Sequence, residues 1–418
     1  MSEEVVTDSW FSRISNSIKG IFFGFLLVIG SIVLLAWNEK RCVDRYNTID
    51  FAKNNYVSTV ADSVETDKEG KLVHFNGSAK TSDVLTDSEF GVSVDNSFSL
   101  TRKVEMYQWQ QEQHSHKKKN AGGSTTTTYT YTYKKVWSSE PIDSNGFKEA
   151  GHDNPAVFPF KSNKVFAENV TLGAHRIPSE KISGLGSAVE VELDAEKIVK
   201  PISAVVKGNT ILFNVLKEEK AKLINTNVEQ TSDVNMAQFM PSEAAPAIGD
   251  IRITFTKNPV GDVTVLAQQA GNSIKAFKTQ SGDFYEVRNG LMSPEDVFKA
   301  TEEENLFLTW FLRGLGFILM ALGFGTIFRP LSVLADVLPL LGDIAETGIF
   351  IISVLISAVL SLATIAISWL ICRPVLAVTL FVLIGAGIVG IVSLISKAKS
   401  AKTARNRESA SEAVFSAD

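Results

Sequence analysis

The strongest constraint on the fold is a set of three long apolar runs near the C-terminal end of the chain. They cover residues 306–328, 348–371 and 375–395, and at about 1.5 Å per residue each can cross a hydrocarbon core about 30 Å thick. A fourth apolar run, residues 21–37, is close to the lower length limit. The sequence therefore predicts four transmembrane helices.

The four runs leave one large polar insert, residues 38–305, which is anchored at both ends by helices. The chain has 418 residues, of which 45% are hydrophobic and 21% charged, and the charges lie mainly outside the apolar runs. This segregation is typical of an integral membrane protein with one water-exposed domain that buries its own core. The net charge of -5 provides no basic field for nucleic acid, so we expect membrane lipid and no nucleic acid as a partner.

Apolar and polar residues alternate with period two along much of the insert, as at Ile251, Ile253 and Phe255. Together with turn residues such as Asn289-Gly290, this alternation predicts half-buried antiparallel strands. We therefore expect an α-helical membrane protein with four spans and a large β-rich, β-sandwich-like extracytosolic domain. Near the end of the insert, the run Ser293–Asp296 predicts a helix that leads into the second span.

Residues 100–137 predict a long β-hairpin with a basic tip. The basic residues of the tip are available for contact with lipid headgroups or a partner. They are His114, His116, Lys117, Lys118 and Lys119. The alternative is a solvated loop, and two histidines without a nearby carboxylate or cysteine are a weak signal for a metal.

The distribution of lysine and arginine predicts the orientation of the spans. The tail, residues 396–418, carries five basic residues, whereas the loop between the last two spans has only Arg373. We therefore expect a cytosolic tail, a cytosolic N-terminal segment (residues 1–20) and a luminal or periplasmic insert. Residues 329–347 are interpreted as an amphipathic or re-entrant connector on the cytosolic side. Within residues 9–19, a surface helix and a simple extension of the first span are both open.

Four basic residues that follow the first span favour the opposite orientation locally. They are Lys40, Arg41, Arg45 and Lys53.

No sequence pattern assembles a catalytic, metal or cofactor site. The nucleophile elbow, the Walker loop, the dinucleotide fingerprint and paired cysteines are absent, and the five histidines are scattered. We therefore predict a protein that is not an enzyme and needs no cofactor.

Small residues in the spans indicate close helix packing, and we expect them to form a homo-oligomer interface. These residues are Gly20, Gly24, Gly314, Gly316, Gly323 and Gly325. Three charges lie at the span ends, namely Arg313, Arg329 and Asp336. They are interpreted as interfacial charges, and the alternative is a polar path for lipid handling or transport. Cys42 and Cys372 are expected near one membrane face, as unrelated thiols, a disulfide or a pair of acylation sites.

Several short runs in a fixed order resemble the LUMA family of transmembrane proteins (transmembrane protein 43). They are Asn38-Glu39, Val104–Trp109, Asn154-Pro155, Leu172-Gly173, Gly249–Arg252, Thr309–Arg313, Arg329–Leu331 and Ala335-Asp336. The resemblance covers nearly the whole chain, including the four-span layout. It implies a multispanning endomembrane protein with a luminal domain that self-associates and binds other membrane proteins. In a eukaryote this implies the endoplasmic reticulum or inner nuclear membrane, and in a bacterium the inner membrane.

Overall fold

The structure, a computed structural model, describes residues 2–201, 203–218, 241 and 245–373. Contacts between Cα atoms divide the chain into two compact units. The β-rich unit consists of Met1–Ile18, Asp44–Leu306 and Pro330–Glu346. The helical unit consists of Lys19–Val43, Phe307–Arg329 and the residues from Thr347 onward.

Three long helices lie within the described residues: α1 (Trp10–Asn55), α2 (Pro294–Ala335) and α3 (Pro339–Cys372). By length and composition all three can span a membrane, with Gly342–Cys372 as the candidate span in α3. These helices confirm the integral membrane class. The predicted fourth span, 375–395, lies outside the described residues.

Helix α1 is longer than the predicted span at both ends. It contains 46 residues, so it is about 69 Å long. Ser9 caps its start, because the Ser9 hydroxyl accepts a hydrogen bond from Ser12 N at 3.2 Å. Of the two alternatives for residues 9–19, the structure therefore shows helix extension. Residues 38–55 also remain helical, although the sequence analysis assigned them to the insert.

Helix α2 begins where the sequence predicts. The Ser293 hydroxyl accepts a hydrogen bond from Asp296 N at 3.1 Å, and Pro294 occupies the first turn. The helix then continues through Pro330 to Ala335, whereas the predicted span ends at residue 328. A proline removes one backbone donor and kinks a helix without necessarily ending it. The predicted connector 329–347 therefore consists largely of the end of α2 and the start of α3.

The insert is a β-sandwich, as predicted: an eight-stranded and a seven-stranded sheet enclose one hydrophobic core. The eight-stranded sheet contains β1 (Ser2–Asp8), β6 (Ser97–Lys119), β7 (Thr125–Ser138), β8 (Asn163–Phe166), β11 (Val189–Glu190), β12 (Val205–Lys207), β13 (Thr210–Asn214) and β14 (Asp250–Pro259). The seven-stranded sheet contains β2 (Tyr56–Ser58), β3 (Leu72–Thr81), β9 (Val170–Leu172), β10 (His175–Ile177), β15 (Asp262–Ala270), β16 (Ser273–Lys275) and β19 (Glu286–Asn289). Two short ribbons pair β4 (Leu85–Asp87) with β5 (Val92–Val94), and β17 (Phe277–Lys278) with β18 (Asp283–Phe284).

The predicted hairpin is confirmed and is longer than expected. Strand β6 pairs with β7 continuously from Met106–Ser138 to Lys119–Thr125. This ribbon extends past the sandwich by 13 residues of β6, which is about 43 Å. All seven residues of β1 pair with the outer part of β7, so the N-terminal segment is a strand of the same ribbon.

Candidate functional site at the hairpin tip

Three distant segments of the β-rich unit meet at the tip of the hairpin: the start of α1, the turn 120–124 and the turn between α2 and α3. We call this meeting point the tip junction. Gly122 and Gly123 have φ angles of 83° and 81°, which favour glycine. The Trp10 indole also lies where a Cβ atom of residue 123 would be, so Trp10 packs directly on the glycine backbone.

Hydrogen bonds to backbone groups join the three segments. Trp10 Nε1 donates to the Val333 carbonyl at 2.9 Å, and Arg13 Nη1 donates to the Gly123 carbonyl at 2.5 Å. Gly122 N donates to the Val337 carbonyl at 3.1 Å. Each of the three segments is therefore joined to the other two by direct hydrogen bonds.

A buried carboxylate, Asp336, lies at the centre of the tip junction. Asp336 is 1% exposed and forms ion pairs with Arg13 and, at 3.0 Å, with Lys119. Lys119 also pairs with Asp343 at 2.9 Å and with Glu346 at 2.7 Å. Since isolated buried charges are costly, the three segments satisfy one another's charges only when they are assembled.

The charges at the junction shift the pKa of Lys119. Its burial lowers the pKa, but hydrogen bonds to Glu346, Asp343 and Asp336 outweigh burial and raise the pKa above its ordinary value. A raised lysine pKa adds stability below the unfolded value of about 10.4, and this stability is lost as the pH rises through the folded value. Lys119 therefore supports the junction across the neutral range. Chemically, the junction is a cluster of ion pairs that joins the three segments.

The structure divides the predicted basic tip into two groups. His114, His116, Lys117 and Lys118 are exposed along the outer part of β6. Lys119 is largely buried in the tip junction, so the solvated-loop alternative does not describe it. Among the described residues, no three His, Cys, Asp or Glu side chains come together in a way that could hold a metal ion.

A second buried ion pair lies inside the helical unit. Arg313 Nε and Nη2 donate to Glu39 at 2.7 and 2.8 Å, and Glu39 is 1% exposed. Asn38 Nδ2 donates to the Thr309 carbonyl at 3.0 Å beside this pair. The sequence analysis expected Arg313 at the interface and missed Glu39, whereas Arg329 is exposed.

Four of the six predicted interface glycines pack α1 against α2 within the chain. A Cβ atom at Gly316 would lie 2.6 Å from Leu35 Cδ2, and one at Gly24 would lie 2.7 Å from the Gly323 carbonyl. Gly20 faces the Thr326 methyl group at 3.3 Å. These contacts explain the small residues without a second copy. Gly314 and Gly325 have open space where a Cβ atom would be.

Helix α3 buries a row of serines that the sequence does not single out, and one of them contacts α2. Ser353, Ser357 and Ser361 recur every four residues and are at most 4% exposed. The Ser361 hydroxyl donates to Met320 Sδ at 3.5 Å. This periodicity of small residues is the signal that could have identified the packing face. Cys42 and Cys372 do not form a disulfide, so the disulfide alternative is not observed.

The tip junction brings together segments that the sequence analysis assigned to opposite sides of the membrane. The hairpin was placed outside the cytosol, whereas residues 1–20 and 329–347 were placed in it. The β1–β7 ladder and the Asp336 ion pairs join these segments. The side of the membrane on which each segment lies stays a prediction.

Comparisons with known proteins identify similar chains over most of the length. Residues 106–374 match the family model described as Transmembrane protein 43. Transmembrane protein 43 of Rattus norvegicus is 28% identical over 381 residues, which is 88% of each chain. The Homo sapiens protein of that name is 28% identical over 378 residues and 87% of each chain. A Drosophila melanogaster homolog is 27% identical over 86% of this chain and 90% of its own. No solved structure matches.

Proposed function

Because the chain belongs to the transmembrane protein 43 family, we propose that it is a non-enzymatic membrane scaffold that self-associates and organises lipid or other membrane proteins. The proposed setting is an endomembrane of the endoplasmic reticulum and nuclear envelope type in a eukaryote, or the inner membrane in a bacterium. Its proposed partners are membrane lipid, further copies of the chain and other membrane proteins.

The observation that carries this proposal is the open surface of α2 at Gly314 and Gly325. The other four predicted glycines lie in the contact between α1 and α2, whereas a Cβ atom at these two positions would meet nothing within 4 Å. Large apolar side chains such as Trp310, Phe311 and Ile318 are also exposed on this helix. In lipid, small residues let a second helix approach closely, so this surface suits helix association.

We expect Gly314→Leu and Gly325→Leu to reduce the oligomer mass in native nanodiscs while leaving the fold intact, because leucine fills the space that a second helix needs. Gly316→Leu is the matched control, since it clashes with Leu35 inside the chain and should lower thermal stability. An unchanged oligomer in both open-glycine variants would contradict this helix interface.

The alternative, a lipid-handling or transport protein with a polar path, receives less support from the side chains. Arg313 forms an ion pair with Glu39 in the helical unit, and Asp336 forms ion pairs with Arg13 and Lys119 in the β-rich unit. Arg329 is exposed. These charges therefore have separate partners. Flux that Arg313→Ala abolishes in reconstituted vesicles, with assembly unchanged, would favour the alternative.

For the proposed localisation, we predict that the N-terminal segment, the hairpin tip and the α2–α3 turn are accessible from one side of the membrane. The test uses Glu3→Cys, Ala121→Cys and Leu338→Cys, each in a Cys42→Ser, Cys372→Ser background. A membrane-impermeant maleimide added to sealed vesicles should label all three from the same side. Labelling of Ala121→Cys from the opposite side would show that the tip junction does not form in the membrane.

A fourth variant, Asn145→Cys, reports on the base of the hairpin, next to the sandwich. We propose that the sandwich is luminal or periplasmic, so Asn145→Cys should be labelled from that side, opposite to Glu3→Cys. Labelling of Asn145→Cys together with Glu3→Cys would instead place the sandwich on the side of the N-terminus.

A further inference from the structure

The outer part of the hairpin is a three-stranded ribbon with two open edges. Residues 125–131 of β7 lie in the middle, between β1 and residues 113–119 of β6. On the far side of β6, the pairing with β14 stops at Met106. Among the described strands, β1 and the outer part of β6 therefore each pair on one side only. Such edges present backbone donors and acceptors that a further strand can bind.

The two edges carry opposite charge. The β1 edge contains Glu3, Glu4 and Asp8 and has no basic residue. Over residues 113–118, the β6 edge contains two histidines and two lysines and has no acidic residue, whereas Lys119 is paired with the carboxylates of the tip junction. Residues 3–8 and 113–118 are exposed.

These charges disfavour pairing between identical edges. Like charges directly opposite each other destabilise a strand pair, and lysine on an edge strand is a common protection against association. Two β1 edges would oppose acid to acid, and two β6 edges would oppose base to base. An acidic edge beside a basic edge removes the repulsion, so the pattern selects contact between unlike edges.

Strand direction and register are compatible with that contact. Both β1 and β6 run antiparallel to β7, so they run parallel to each other. Copies inserted in one membrane with the same orientation keep these directions, and β1 of one copy can therefore form a parallel pair with β6 of the next. Through β7, Glu3 aligns with Thr130 and His114, and Asp8 aligns with Thr125 and Lys119. Without a register shift, Glu3 of one copy would face His114 of its neighbour.

We propose that the β1 edge of one copy pairs with the outer β6 edge of a second copy, in a parallel, head-to-tail contact. This inference rests on the proposed self-association and names a second interface for it, distinct from the open glycines of α2. Because the two edges are different surfaces, the contact is heterologous and builds rings or chains of copies.

Cysteine crosslinking between copies in the membrane tests the geometry. Glu3→Cys and His114→Cys are introduced into separate full-length chains in the Cys42→Ser, Cys372→Ser background, and the chains are co-expressed. We expect a disulfide-linked pair that contains one chain of each type. Within one copy, these positions are two strand spacings apart, about 9.6 Å, which is too far for a disulfide. Crosslinked pairs of Glu3→Cys alone would indicate a symmetric contact and overturn the proposal.

Charge reversal tests whether the charges on the two edges select this pairing. The acidic-edge variant Glu3→Lys, Asp8→Lys and the basic-edge variant His114→Glu, Lys118→Glu should each lower the yield of oligomer in nanodiscs about tenfold. One chain with all four changes should recover it, and recovery also shows that the ribbon still folds. Lys80→Glu, an exposed reversal on β3, is the matched control and should have no effect.

The outcomes separate this inference from the proposed function. If both reversal variants form as much oligomer as the native protein, the edge contact is overturned and the proposed self-association stands. A wild-type monomer in nanodiscs with no crosslink overturns both. Loss of binding to anionic vesicles in the basic-edge variant, with an unchanged yield of oligomer, would show that the edge binds lipid and not a second copy.

Discussion

Replacing Asp336 by asparagine is expected to lower the free energy of unfolding by about 3 kcal/mol, because it leaves the largely buried Arg13 guanidinium without its carboxylate partner and removes the buried one of the three carboxylates around Lys119. Asp336 is 1% exposed and is the residue through which both cations are neutralised together. Thermal unfolding in nanodiscs measures the loss. Limited proteolysis should also show faster cleavage near residue 8, since β1 and the start of α1 depend on the same junction.

The matched control is Asp343→Asn, which removes another carboxylate from Lys119. Asp343 is 68% exposed, so its pair with Lys119 should contribute less than about 1 kcal/mol. Equal effects of the two substitutions would show that Asp336 is not the centre of the junction. Gly342→Ala should reproduce the Asp336→Asn phenotype, because a Cβ atom at Gly342 collides with the Asp336 carboxylate.

Breaking the Glu39–Arg313 pair is the second change with a large expected effect. Either Glu39→Met or Arg313→Met alone leaves a buried charge without its partner, and we expect each to cost about 3–5 kcal/mol. The double variant removes both charges and should recover most of that loss, to within about 1 kcal/mol of the native protein. The measurement is a double-mutant cycle of thermal stability in nanodiscs.

Arg329→Met is the control for this cycle, because Arg329 is an exposed arginine on the same helix. It should change stability by less than about 0.5 kcal/mol. Additive losses in the Glu39 and Arg313 variants would mean that the two side chains do not interact in the membrane. Loss of function without loss of stability in Arg313→Met would instead point to the polar path.

Features that depend on nearby residues could be predicted from the sequence. The apolar runs, the alternation around Ile251 and the cap at Ser293 act over one span, one strand or one helical turn, so each leaves a local pattern. The hairpin could also be predicted, because its two strands are adjacent in the chain. The ends of the helices were harder to predict. Residues 38–55 and the stretch after Pro330 lack a continuous apolar pattern, and tertiary packing keeps them helical.

The site could not be predicted, because its pairs lie far apart in sequence. Arg13 and Asp336 are separated by 323 positions, and Glu39 and Arg313 by 274. Each of these residues alone resembles an interfacial charge that extends toward water. Nothing near Asp336 indicates that it is buried, and nothing near Glu39 indicates a partner. Four of the six predicted glycines pack α1 against α2, but the sequence could not distinguish a helix of the same chain from a second copy.

The separation of Arg13 from Asp336 also has a consequence for biosynthesis. The N-terminal residues leave the ribosome first, and β1 has no partner until residues 125–131 of β7 have been made. At about 5–20 residues per second, Asp336 is synthesised roughly 15–65 seconds after Arg13. The tip junction can therefore be completed only after the first two apolar helices have been synthesised, and Arg13 must wait until then for its carboxylate partner. A nascent chain stalled before residue 125 should leave β1 open to proteases and to neighbouring chains.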